Sequence, residues 1–272
     1  MIALEHIVKE YNKEVVLNDI NLTIEQGRSL AFTGHNGCGK STLLKIIAGL
    51  VRPTVGTVRL EKGKLIHYVP EHFPQMRITA KQYLFYMGRM ERLEDVELET
   101  RTQKLAEDFL VSNMLDIPLK YLSKGSLQKI GVIQALLKEP DILLLDEPLS
   151  GQDVVSQQVF IQKMKELQKH NVTILMSCHE PYLVDAIADE VYQFVDGKIV
   201  LADHKSAGET RWYTMLFVRT DKTVTPEKWK GHLQFTEQGC TLRTTEIECN
   251  RAMIDMIEAG WNLRGMYNED NK

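Results

Sequence analysis

The stretch GHNGCGKST, Gly34–Thr42, sets three glycines beside a lysine and two hydroxyl residues. Gly34, Gly39, Lys40 and Ser41 fit the spacing G-x-x-x-x-G-K-[ST]. Residue types in this pattern suit a polyphosphate. Glycines let successive backbone N–H groups curve around an anion without Cβ clashes. The loop Gly34, His35, Asn36, Gly37, Cys38, Gly39 would form that cradle, with Lys40, Ser41 and Thr42 opening the next helix. A helix N-terminus aims its partial positive charge at the same anion. Lys40 would neutralise β and γ oxygens, and the Ser41 hydroxyl would face Mg²⁺.

A second chemical signal is PDILLLDEPLSGQD, Pro140–Asp153, an apolar run ending in two adjacent carboxylates. A buried strand that stops at Asp146-Glu147 places both acids at its carboxyl edge, where ligands sit in open α/β sheets. Asp146 would hold Mg²⁺ through water. Glu147 would take a proton from the attacking water.

These residues need elements to position them. LAFT before the loop is short and strand-like, and TLLKIIAGL after it has apolar residues at helical spacing. The loop therefore joins a strand to a helix. The chain has 272 residues with 43 % hydrophobic content, enough for one large domain plus a small appendage. Its net charge of −4 lacks the basic balance of a nucleic-acid binder, so no nucleic-acid partner is expected. No apolar run reaches membrane-spanning length, and the N-terminus does not read as a secretory signal. Cys38, Cys178, Cys240 and Cys249 have no metal-ligand spacing and read as reduced thiols.

YLSKGSLQKIGVIQALLKEP, between the two signals, is where the chain resembles the ATP-binding cassette (ABC) family. Leu122-Ser123-Lys124-Gly125-Ser126 matches that family's L-S-G-G-Q signature at the leucine, the serine and the second glycine. The resemblance covers about residues 1–203, with the markers in the family's order. It implies an α/β fold: a P-loop NTPase core with an antiparallel β subdomain and a helical subdomain. It implies that Tyr11 stacks on adenine, that LSGQD is the D-loop with Asp153 its aspartate, and that His179 contacts the γ-phosphate. Ser123 and Gly125 would serve the nucleotide of a second chain, since one chain does not need two sites for one γ-phosphate. One departure stands out. Where the family usually has glutamine, YVPEHFPQ places Glu71, a candidate Mg²⁺ ligand at the hinge; Gln75 comes four residues later.

Residues 1–204 are expected to form the ATPase domain, with the helical subdomain at about 72–135. Tyr83, Leu84, Phe85, Tyr86, Met87 and Met90 read as core, with part of the cluster a candidate for the groove that receives a membrane partner. A change near His204–Trp212 introduces a small α+β extension, 209–272, expected to stabilise a dimer. The resemblance implies an ATP-hydrolysing transporter subunit using ATP and Mg²⁺. It would pair with a second ATPase chain, identical or a paralogue, and sit peripherally on the cytoplasmic membrane face against integral membrane subunits. The extension and Glu71 lean the reading toward export. Two rivals are a soluble ABC ATPase acting on ribosomes or DNA, and a nucleotide-dependent regulator. The first usually has two cassettes or coiled-coil inserts, and intact Glu147 and His179 speak against the second.

Overall fold

The computed structural model describes residues 1–202, 212–220, 223–236 and 239–268. The chain divides into two compact units, Met1–His204 and Lys205–Lys272. The change of character expected near His204–Trp212 falls mostly on residues 203–211, outside the described residues.

The first unit begins with β1 (Ile2–Tyr11), β2 (Glu14–Ile24) and β3 (Ser29–Thr33), then α1 (Lys40–Ile47), β4 (Val55–Leu60) and β5 (Ile66–Val69). The helices α2 (Ala80–Met90), α3 (Asp95–Asp108) and α4 (Lys124–Leu136) follow. Then come β6 (Ile142–Asp146), α5 (Val154–Lys169), β7 (Thr173–Ser177), α6 (Pro181–Ile187), β8 (Glu190–Val195) and β9 (Lys198–Ala202). Strands β2, β1 and β4 form an antiparallel sheet. The main sheet has the order β5-β6-β7-β3-β8-β9, parallel except for β9. The turn into β9 carries positive φ at both Asp196 (49°) and Gly197 (74°), as a tight hairpin needs.

Every residue of β6 and β7 is buried. An uninterrupted apolar run such as ILLLD is what a strand covered on both faces requires. Strand alternation then divides the core. Ala31, Leu143, Leu145, Ile174 and Met176 join the cluster on the side of α4, α5 and α6. Leu30, Phe32, Ile142, Leu144 and Leu175 join α1 and the antiparallel sheet on the other side. Leu43, Leu44, Ile46 and Ile47 pin α1 there, each fully buried aliphatic side chain contributing about 1.5–3 kcal/mol.

Two helices, α2 and α3, fill most of residues 80–108. Thr79 caps α2 in a capping box with Gln82. The chain breaks where Arg92 takes φ 62°. Glu91, at the break, faces His67 Nε2 of β5 at 3.5 Å. In the core-reading cluster, Tyr83 and Leu84 are buried, but Phe85, Tyr86 and Met90 are exposed.

The second unit contains β10 (Trp212–Val218), β11 (Leu233–Phe235), β12 (Gly239–Thr245), α7 (Glu246–Glu258) and β13 (Asn262–Asn268). Its sheet order is β11-β12-β10-β13, antiparallel throughout. Met215, Phe217, Cys240, Leu242, Ala252, Met256, Trp229 and Trp261 form its own core. Both indoles satisfy their N–H groups inside it: Trp229 Nε1 donates to Asp255 Oδ2 and Trp261 Nε1 to the Val224 carbonyl, each at 2.9 Å.

Candidate active site

Four neighbouring parallel strands, β5, β6, β7 and β3, end on the same edge of the main sheet. Their carboxyl ends deliver, in that order, Glu71, Asp146-Glu147, His179 and the glycine loop. This clustering follows from parallel pairing, which puts all C-terminal ends together. A cleft of about 530 Å³ opens there, lined by Asn36, Gly37, Gly39, Lys40, Ser41, Thr42, Glu71, Glu147, Ser150, His179 and Glu180.

The loop runs from β3 directly into α1. Gly39, with φ 114°, precedes the first helical residue. A Cβ there would lie 2.8 Å from Leu17 Cδ2 and 3.0 Å from the Val16 carbonyl oxygen, so glycine is required twice over. Lys40 is 5 % exposed, and its ammonium donates to the carbonyls of Gly34 (2.7 Å) and His35 (3.3 Å). It also faces Glu147 Oε1 at 3.8 Å. The Cys38 sulfur turns toward Gly34, 2.9 Å from where a Cβ on that glycine would stand, and does not line the cleft.

Asp146 is buried, and three hydroxyls hold its carboxylate. Ser41 Oγ (2.8 Å) and Ser177 Oγ (2.6 Å) donate to Oδ1, and Tyr68 OH (2.9 Å) donates to Oδ2. Ser177 is there because the β6–β7 register pairs it with Asp146. Among the described residues no group of three or more His, Cys, Asp or Glu is arranged to hold a metal. Mg²⁺ does not ask for one: it takes hard oxygens, one or two from protein and the rest from water and substrate phosphates. The Ser41 hydroxyl and Asp146 carboxylate, side by side at the start of α1, fit that requirement.

Glu147 takes φ 48°, a left-handed conformation that costs a residue with a Cβ roughly 1–2 kcal/mol. Its N–H donates to the Ser177 carbonyl (3.1 Å) and to Ser177 Oγ (3.2 Å), which fixes the turn. The carboxylate is thereby aimed at the cleft, 3.0 Å from His179 Nε2. Burial pushes its pKa up to about 7, against the pull of Lys40, with Glu180, Asp146 and Glu71 adding to the rise. His179 Nε2 also lies 3.0 Å from Asn36 Oδ1 and 3.1 Å from Lys40 Nζ. Burial and the Lys40 charge hold its pKa below the usual value, so the ring is neutral at neutral pH.

Other expected site residues stand elsewhere. Tyr11 is exposed with Lys9 Nζ 4.8 Å from its ring centroid, and it does not line the cleft. Ser123 caps α4, its Oγ accepting from the Ser126 N–H at 3.2 Å. Gly125 has a packing reason: a Cβ would stand 2.3 Å from the Gly151 carbonyl oxygen. Asp153 caps α5, accepting from the Ser156 N–H (2.9 Å) and Oγ (2.7 Å), and those bonds hold its pKa below the usual range. Glu71 lines the cleft, but its Oε1 accepts from Lys124 Nζ at 3.3 Å. Reading the sequence missed Tyr68, Ser177, Ser150 and Glu180. Ser177 was findable, two residues before His179 at the end of an apolar strand; Tyr68 carried no local signal.

Residues 17–150 match the family described as ABC transporter. The chain is 32 % identical over 202 residues to the ABC transporter ATP-binding protein NatA of Bacillus subtilis, covering 69 % of this chain and 82 % of that protein. It is 32 % identical over 203 residues to the zinc import ATP-binding protein ZnuC of Halorhodospira halophila, covering 73 % and 75 %. Among solved structures, the ATP-binding subunit of an ABC transporter superposes with a TM-score of 0.69 at 26 % identity, covering 76 % of this chain and 91 % of that one. A dimeric ATP-binding cassette in a post-hydrolysis state with ADP and Pi superposes with a TM-score of 0.68 at 21 % identity, covering 75 % and 99 %.

Proposed function

The chain belongs to the ATP-binding subunits of ABC transporters, which are ATPases, and from that premise we propose that Glu147 is the general base of a site completed by a second cassette. The supporting observation is the Glu147 carboxylate itself. It lies in the cleft beside the glycine loop, 3.0 Å from His179 Nε2 and 3.8 Å from Lys40 Nζ, with its pKa raised to about 7. A base is most effective when its pKa lies near the working pH.

In this reading the loop Gly34–Gly39 and the N–H groups opening α1 cradle the phosphates, and Lys40 moves its ammonium from loop carbonyls onto β and γ oxygens. The Ser41 hydroxyl and Asp146 would hold Mg²⁺, which would supply positive charge beside the phosphates. Glu147 takes the proton of the attacking water. Neutral His179 has one N–H to give: from Nε2 it would orient Glu147 before nucleotide binds and turn to the γ-phosphate afterwards. Tyr11 provides an exposed ring for the adenine base.

Ser123, Gly125 and Asp153 do not line their own chain's cleft, so their nucleotide role belongs to a second copy or a paralogue. No helix of the described residues is long and apolar enough to cross a membrane. As in the transporters its relatives serve, membrane subunits would carry the substrate, and the exposed Phe85, Tyr86 and Met90 of α2 are the surface we assign to them, at the membrane's cytoplasmic face. Zinc import ATP-binding proteins stand among its relatives, so the export expected from Glu71 and the C-terminal unit gains no support; import is the better reading. Those relatives also weigh against the ribosome, DNA and regulator alternatives.

The test is affinity isolation of the tagged chain from detergent-solubilised membranes, with light scattering of Glu147→Gln plus MgATP. An integral membrane protein retained at stoichiometric ratio and a dimeric mass are expected. Isolation of ribosomes or DNA instead would reverse the assignment.

A further inference from the structure

One stripe of α4 grips the loop that follows β5. Positions 124, 128 and 131 are spaced i, i+4, i+7 and share a helical face. Gln128, 1 % exposed, donates from Nε2 to the Pro70 carbonyl at 3.1 Å. Gly131 leaves space for Phe73, whose Cδ2 would be 3.0 Å from a Cβ at that position. Lys124 Nζ reaches Glu71 Oε1 at 3.3 Å. The segment Pro70–Phe73 is thus fastened along the helix that begins at Ser123.

Lys124 is an odd residue to find there. It is the first residue of α4, where the helix dipole disfavours a cation, and no acidic residue stands in the first turn to offset it. The pair with Glu71 is half exposed, 48 % and 36 %, and such pairs add little to stability. Neither helix formation nor stability accounts for the lysine. Its contact with Glu71 does, because Glu71 lines the cleft beside Lys40, Ser41, Glu147 and His179. The carboxylate's negative charge therefore stands at the edge of the space the phosphates would fill.

We propose that Lys124 is a positioning residue for Glu71: it holds the carboxylate at the mouth of the cleft, offsets its charge next to the phosphates, and ties the hinge loop to the N-terminus of α4. Among the contacts that fasten this loop to α4, the Lys124–Glu71 pair is then the one that links nucleotide occupancy of the cleft to the position of the signature residues Ser123 and Gly125. This deepens the proposed function and rests on its assignment of the cleft to ATP.

The test is a double-mutant cycle on the full chain, read by steady-state kinetics and by calorimetric binding of MgADP. Lys124→Gln leaves Glu71 uncompensated near the phosphates. It should raise KM for ATP and weaken MgADP by about two- to fivefold, the range of a partly exposed pair, with the melting temperature unchanged. Lys124→Arg should restore both affinities, and Lys124→Gln added to Glu71→Gln should change nothing further. Wild-type affinities in Lys124→Gln, or an equal effect of that substitution with and without Glu71→Gln, would overturn the proposal. Glu147→Gln, run in parallel, reports on the base alone; should it turn over normally, the MgADP cycle still judges the pair.

Discussion

The phosphate-loop half of the cassette and its signature half spend their polar groups differently. In the first, Lys40 and Glu147 are nearly removed from water and set against each other and against His179. Glu147 sits in a strained backbone conformation, and its proton affinity is far from that of a free carboxylate. In the second, Ser123 and Asp153 are ordinary helix caps and Gly125 answers a packing demand. A site built within one chain shows mutually perturbed, buried groups. Groups that, in the proposed function, serve another chain's ligand look purely structural within their own chain.

The sharpest way to break this contrast is Glu147→Gln. Loss of a general base should cost about 10²–10⁴-fold in kcat while nucleotide binding stays near wild type. Equilibrium binding beside steady-state turnover checks it, and a variant that hydrolyses ATP near-normally would remove the distinction between the halves. Gly125→Ala probes the other half. Its Cβ meets a backbone oxygen that has no flexible end to yield, so overpacking should cost about 1–3 kcal/mol, measured by denaturant unfolding.

The pH profile comes next in size. Glu147 has a raised pKa, so its basic form is present above about 7 and is lost as pH falls through that value. We expect kcat/KM to drop by about tenfold per pH unit on the acid side. A profile flat down to the ordinary carboxylate range would show that Glu147 stays ionised in the working enzyme. The smallest effect sharpens the comparison. Asp153→Ala removes a helix cap worth about 1 kcal/mol. If Asp153 only caps α5, ATPase activity should follow that stability loss and return at lower temperature. Activity that stays depressed when the protein is fully folded assigns Asp153 to the second chain's nucleotide.

Much of the site was legible in the sequence because its chemistry is contiguous. GHNGCGKST needs only a strand before it and a helix after it, and both are written in the neighbouring apolar spacing. Asp146-Glu147 follows a run of apolar residues that no exposed strand would carry. The open and closed faces of α2 were less legible: the aromatic cluster read as core, but Phe85, Tyr86 and Met90 face outward, since helix spacing divides six neighbouring residues between two sides.

What sequence alone determined, then, are the groups whose neighbours lie within a few residues: the glycine loop, its lysine, and the paired carboxylates ending β6. Tertiary structure decided the rest. Ser177 and Tyr68 hold Asp146 from 31 and 78 residues away because parallel strand register brings them alongside. Lys124 meets Glu71 across 53 residues because α4 lies along the loop after β5. Glu147 gains its proton affinity from burial, which depends on everything packed around it. Local motifs specify which atoms do chemistry; registers and helix packing, set by hydrophobic burial far along the chain, specify how those atoms are charged and aimed.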